Sequence, residues 1–239
     1  MDRHGGVVVY AGGDDLLAML PVEGALACAD ALARTYRDAF PRGRQGTLSA
    51  AVVFAHVRQP LMSVLAEAHR LLDEEAKDRN GRSSLAVAVL KSSGLHSQWV
   101  SSWERTGPGG ARMRATEALE ALCGGLRGPG DEPGLSSSLL YRLRDTLGLL
   151  CDWPRWQPGA WAPLPHGVPL RSYIEAELRR TLPESEAGAE SGAGPLAETI
   201  TALLSASPNP GGVLSPDWVG VDALLLARFL SSPSEGDAR

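Results

Sequence analysis

Two adjacent carboxylates, Asp14 and Asp15, directly follow the paired glycines Gly12 and Gly13. Neighbouring aspartates at a turn are hard oxygen donors. They suit the divalent cations that accompany nucleoside triphosphates and neutralise charge during phosphoryl transfer. The tetrapeptide lies between two apolar runs, Val7-Val8-Val9-Tyr10 and Leu16-Leu17-Ala18-Met19-Leu20. Paired glycines between strand-like runs predict a hairpin, because a tight turn needs positive φ. Both runs are apolar throughout instead of alternating, which predicts strands covered on two faces. The carboxylates would then sit at the tip of a buried hairpin, where unpaired charge is costly and a cation is expected nearby. GGDD also fits an ordinary solvated turn.

The chain that must position this tip has 239 residues, room for one large domain or two small ones, and a hydrophobic content of 44%. No apolar run approaches a membrane span, and the start lacks a signal-peptide pattern. Cys28, Cys123 and Cys151 are far apart with no CxxC or histidine pairing. That spacing disfavours zinc and a disulfide framework and leads us to expect a cytoplasmic protein. The net charge is −5, yet eight acids and only two arginines lie from Glu184 onward, so the rest is close to neutral. Without a basic stripe, any nucleic acid served would be held mostly by partner subunits.

Past the hairpin, helical spacing runs from Pro21 to Phe40, then TLSAAVVFAHV (Thr47 to Val57) reads as a buried strand. A second helix is predicted from Pro60 to about Lys77, and LAVAVL (Leu85 to Leu90) is a fourth strand. Strand–turn–strand–helix–strand–helix–strand matches a β-α-β-β-α-β palm without its opening strand and helix. Those pieces would lie before Met1. The expectation is therefore a palm completed from another polypeptide, or a chain that is part of a longer protein.

The ordered segments AGGDDLLAMLPVEGAL, TLSAAVVFAHVRQPL, EEAK and SSLAVAVLKSSG resemble the second palm domain of the large subunit of type III CRISPR effector complexes, Cmr (III-B) branch. The resemblance covers about residues 6–94. It implies an α+β fold: an incomplete ferredoxin-like cyclase/polymerase palm over 1–94, followed by a linker at 95–110 and an all-helical C-terminal domain over 111–239. It also implies a nucleotidyltransferase that converts ATP to cyclic oligoadenylate when target RNA binds, with Mg2+ or Mn2+. In that setting Asp14 and Asp15 would hold the metals, and Gly12 and Gly13 would let phosphates approach the backbone.

Ser49 matches a position near the nucleotide, although a strand serine bonded to backbone is an equal reading. Lys77, in EEAKDRNGR, would neutralise triphosphate charge with Arg79 or Arg82 assisting. A solvated lysine at a helix C-terminus fits it as well. Lys91, ending the fourth strand, could face the same cleft. His56 reads as structural or as a cleft wall, not as a general base. The family's further acidic group lies on the missing strand, so the isolated chain is expected to make no product. No His-Asp dipeptide and no zinc module are present. The implied partners are CRISPR RNA, target RNA and other effector subunits, among them the small helical subunit and whatever supplies the missing strand; no membrane is implied. A diguanylate cyclase is disfavoured by GGDD in place of GGDEF, and a GDD polymerase by the lack of room for fingers and thumb. The alternative is a scaffold with an idle hairpin.

Beyond Gly94 the stretch HSQWVSSWERTGPGG reads as the linker. Helices are predicted at Arg112 to Leu126, Leu135 to Cys151, Leu170 to Leu182, about Pro195 to Ser205, and Asp217 to Leu230. ESEAGAESGAG between the third and fourth reads as mobile. Trp153, Trp156 and Trp161 either cap the helical core or form a docking surface, and the cap is favoured.

Overall fold

The computed structural model describes residues 1–41, 46–128, 134–153, 157–181 and 193–232. Strand β1 (Val7–Gly12) pairs antiparallel with β2 (Asp15–Met19), and Val9 is a bulge between the Val8–Ala18 and Tyr10–Leu17 pairs. The two strands form a sheet of their own. Helix α1 (Val22–Asp38) starts directly after Pro21, whose fixed φ suits the entry to a helix, and buries Ala25, Cys28, Ala29 and Ala33. Strand β3 (Ala50–Ala55) lies parallel to β4 (Ser84–Lys91), as a crossover through helix requires. That crossover is α2 (Leu61–Arg70), continued by a π-helical segment, Leu71–Arg79.

The predicted linker is instead the third strand of the central sheet. Strand β5 (Gly94–Ser102) runs antiparallel to β4, with Trp99 1% exposed and Trp103, just beyond it, 5% exposed. The polar composition points away from a strand because the partners are remote: Ser102 Oγ donates to Ser207 O at 2.7 Å and the Gln98 backbone N–H donates to Asp222 Oδ1 at 2.7 Å, while Ser97 Oγ is buried with no hydrogen-bond partner among the described residues. His96 is the bulged residue of β5, between the Val89–Ser97 and Leu90–Leu95 pairs. A short ladder of β6 (Glu104–Thr106) and β7 (Arg112–Arg114) leads straight into α3 (Ala115–Arg127).

The remaining helices are α4 (Ser137–Leu150), α5 (Leu170–Thr181), α6 (Ala193–Leu204) and α7 (Asp222–Ser231), with β8 (Ala162–Pro163) and β9 (Trp218–Val219) pairing between them. All five predicted helices of this half are present, with shifted ends. β4 is apolar on both faces because both are covered. Leu85, Val87 and Val89 join the leucines of α3 to α7, while Ala86 and Ala88 face Leu71, Ala76, Ala206 and Leu214. One core therefore runs through both halves of the chain. Trp153 and Trp161 pack partly buried against it, as the cap reading expects; Trp156 and ESEAGAESG lie outside the described residues. Among the described residues no helix is long and apolar enough to cross a membrane.

The α+β class is present, but the described residues do not form a single ferredoxin-like sheet. The central sheet orders β3-β4-β5, so β3 is an edge, and the β1–β2 hairpin stands apart.

Candidate functional site: the GGDD hairpin and the basic turn

The two-residue loop Gly13-Asp14 closes the hairpin, and Gly12 pairs with Asp15. Gly13 has φ +63° and open space around the position a Cβ would take. A ligand can thus approach the backbone there, and a side chain would be strained whatever the space. A Cβ at Gly12 would fall 2.6 Å from Tyr10 Oη, so the tyrosine ring lies over that glycine.

The expectation of a buried hairpin is not met. Asp14 and Asp15 are exposed, and so are Val7 (68%), Val9 (53%), Tyr10 (57%), Leu16 (47%) and Met19 (51%). The desolvation argument for a nearby cation therefore does not apply to the carboxylates. What is left uncovered is the apolar surface of the strands themselves, on the part of the chain whose sequence has the character of a sheet interior.

Asp14 and Asp15 offer four oxygens to hard cations, a donor set that fits Mg2+ or Mn2+ shared with triphosphate oxygens. Among the described residues no group of three or more His, Cys, Asp or Glu side chains could hold a metal, so these two are an incomplete set. Ser49 lies immediately before β3 and is half-buried. Lys91 ends β4, where its carbonyl accepts from Gln59 Nε2 at 2.5 Å. Its charge, together with that of Arg228, adds to burial in holding the His96 imidazole below its ordinary range. His56 continues β3, its backbone amide donating to Leu90 O at 2.9 Å, and its exposed imidazole accepts from the Arg58 amide through Nδ1 at 3.2 Å.

Lys77 lies on the π-helical segment, a geometry that recurs at functional sites. It is already paired: its Nζ stands 2.7 Å from Asp73 Oδ1. That hydrogen bond, more than the nearby His69 and Arg82 charges, holds the Asp73 carboxyl below the usual range. Of the two candidate assistants, Arg79 is committed elsewhere, with Nη1 3.2 Å from buried Glu75 and donating to Gly159 O at 3.1 Å. Arg82 is exposed, and its charge adds the least to the lowering at Asp73. The structure thus groups Lys77, Arg82 and Asp73 on one basic turn. No ion pair or hydrogen bond among the described residues ties that turn, Ser49 or Lys91 to the hairpin tip.

The turn holds what the sequence reading missed. Gly81, Arg82 and Ser83 take φ of +82°, +66° and +47° in succession. Left-handed residues usually occur singly, and for non-glycine residues they are strained. The Asn80-Gly81 dipeptide is a turn signal that marks the place. Nothing local marks the partner that holds it, residues 207–214.

Residues 1–86 match the family described as Cas10/Cmr2, second palm domain. The CRISPR system Cmr subunit Cmr2 of Pyrococcus furiosus is 37% identical over 102 residues, covering 41% of this chain and 12% of the relative. The Cmr2 subunit of Saccharolobus solfataricus is 32% identical over 96 residues, 31% of this chain and 9% of the relative. The matched stretch spans about a tenth of the length of these relatives. Over residues 1–86, hairpin and basic turn included, the chain is similar to the second palm domain of the Cas10/Cmr2 family.

Proposed function

We propose that this chain contributes the GGDD half of a site that converts ATP to cyclic oligoadenylate in a type III-B CRISPR effector, on target-RNA binding. The observation that carries the reading is the exposed Gly12-Gly13-Asp14-Asp15 tip on a hairpin within the stretch similar to the Cas10/Cmr2 palm. Asp14 and Asp15 would hold Mg2+ or Mn2+, which when bound supplies charge neutralisation for the triphosphate and activation of the attacking hydroxyl. Gly13 leaves the backbone open to phosphate, Gly12 would do so once the Tyr10 ring swings off it, and Lys77, Ser49 and Lys91 would line the nucleotide's side of the site.

A completing strand supports the same reading. The hairpin is an isolated two-stranded sheet with exposed apolar faces, and two strands alone are marginally stable in water. β3 is an open edge, and α1 connects β2 to it. In the β-α-β-β-α-β plan one strand fits between these two edges, and it would bring the third acidic group that the described residues lack. That strand would come from another segment of a Cmr2-type polypeptide. The small helical subunit and the RNAs would be engaged through the rest of the complex.

The incomplete carboxylate set favours a second reading, in which the hairpin is idle and the chain is a scaffold. Incubating the purified chain with magnesium and ATP, alone and then with the completing partner, separates the two. The cyclase reading expects product only with the partner. Robust synthesis by the chain alone would refute the half-site, and silence in both would favour the scaffold.

A further inference from the structure

The basic turn is held from the far end of the chain. Three side-chain contacts come from Asn209, whose Nδ2 donates to Arg82 O at 2.6 Å, to Ser83 O at 3.2 Å and to Ser84 Oγ at 3.1 Å. The Asn209 amide donates to Asn80 O at 2.8 Å, and the Val213 and Leu214 amides donate to Arg79 O at 2.8 and 3.2 Å. These carbonyls end the π-helical segment, where a helix leaves its last acceptors unpaired. In return, Asn80, fully buried, donates through Nδ2 to Ser207 O at 3.3 Å and to Ser84 Oγ at 2.8 Å. The fit is close: a Cβ on Gly81 would lie 2.6 Å from both Asn209 O and the Gly212 nitrogen, and one on Gly212 2.8 Å from Asn80 C.

We infer that Asn209 is a positioning residue for the basic turn, so that residues 207–214 of the helical half act as a clasp that sets how Lys77 and Arg82 present their charges. The physical argument is that three consecutive left-handed residues, two of them non-glycine, persist only where surrounding contacts over-determine them. Local bonds contribute, with the Arg82 amide donating to Ala76 O and Lys77 O at 3.0 Å and Ser84 Oγ donating to Arg82 O at 2.5 Å. The one side chain that reaches Arg82 O, Ser83 O and Ser84 Oγ together, however, comes from 125 to 127 positions further along the chain. A change in the docking of 207–214 therefore reaches the turn directly. The role assigned to Lys77 and Arg82 rests on the nucleotide-site reading above; the clasp itself does not.

The test uses the full chain with Asn209→Ala and Asn209→Asp. The second keeps size but replaces the donating amide with a carboxylate facing carbonyl oxygens. Trypsin cleaves after Arg82, so the native cleavage rate there reads the turn directly. Both variants are expected to raise it at least about tenfold, while cleavage at arginines in α3 to α7 stays within about twofold. An unchanged rate at Arg82, or an equal rise at all sites, would overturn the clasp. In the assembled complex, Asn209→Ala should raise the KM for ATP with a smaller change in kcat, as Arg82→Ala should. If Lys77→Ala and Arg82→Ala leave KM unchanged while the Arg82 site opens in Asn209→Ala, the nucleotide reading fails and the clasp stands. If those two raise KM and Asn209→Ala does not, the positioning role fails.

Discussion

Replacing Asp30 with alanine should cost the fold about 3 kcal/mol, and the estimate can be worked from its surroundings. Asp30 is 2% exposed on α1, with Arg34 Nε at 2.6 Å from one carboxylate oxygen and Arg114 Nε at 2.7 Å from the other. Breaking a buried pair by removing one partner costs about 3–5 kcal/mol, because the other charge is stranded. Here the two arginines differ. The Arg34 side chain is 50% exposed and can turn to water, while that of Arg114 is 12% exposed. Arg114 keeps a guanidinium–ring contact with Trp103 at 5.4 Å, worth about 0.5–1 kcal/mol, which places the net near the low end. For a chain of this size that corresponds to a drop of about 6–12 °C in Tm. Calorimetry or denaturant unfolding of the single variants and of Asp30→Ala with Arg114→Met provides the assay. The double variant should lose much less than the sum of the singles, since it strands no charge. A single-variant loss below about 0.5 kcal/mol, or strict additivity, would refute the reasoning. The pair matters for function because it joins α1, which follows the GGDD hairpin, to the start of α3.

Two further outcomes follow from exposed and half-buried positions. Val9→Lys, at the exposed bulge of β1, should change the stability of the chain by no more than about 0.5 kcal/mol yet prevent co-purification with a completing Cmr2-type segment. Retained assembly would show that this face stays free. His96 titrates below its ordinary value in the folded chain, so the unfolded chain binds its proton first. Its contribution is present above the unfolded pKa of about 6.5 and is lost as pH falls through that value toward the folded one. His96→Asn should therefore flatten the stability–pH curve just below pH ~6.5. An unchanged slope in urea midpoints would count against that.

Much of this was readable from local pattern, and the failures share one cause. The order of β1 to β4, α1, α2 and the five later helices followed from apolar periodicity, because each buries a face whose spacing is set by its own geometry. The Asp14-Asp15 tip was legible for the same local reason, since a two-residue turn with glycine at positive φ is written in four adjacent residues. Coverage was not legible. Val7-Val8-Val9 and Leu85 to Leu90 look alike in sequence, yet one is exposed and the other lies between two packed layers. β5 reads as a linker because Ser97, Gln98, Ser101 and Ser102 are polar, while Asp222, which accepts from the Gln98 backbone N–H, and Ser207, which accepts from Ser102, lie over 100 residues away. The clasp on Arg82 was hidden likewise, since only the fold brings Asn209 to it.

The measurement that bears most directly on the central claim is ATP turnover by the complete effector complex, with and without target RNA, using Asp14→Ala/Asp15→Ala as the control. Both side chains are exposed at a turn, so the double variant should assemble and bind RNA nearly as wild type. The account predicts cyclic oligoadenylate that appears with target RNA and vanishes in the variant. Product that persists without both carboxylates would contradict it, as would a complex that makes none under any condition.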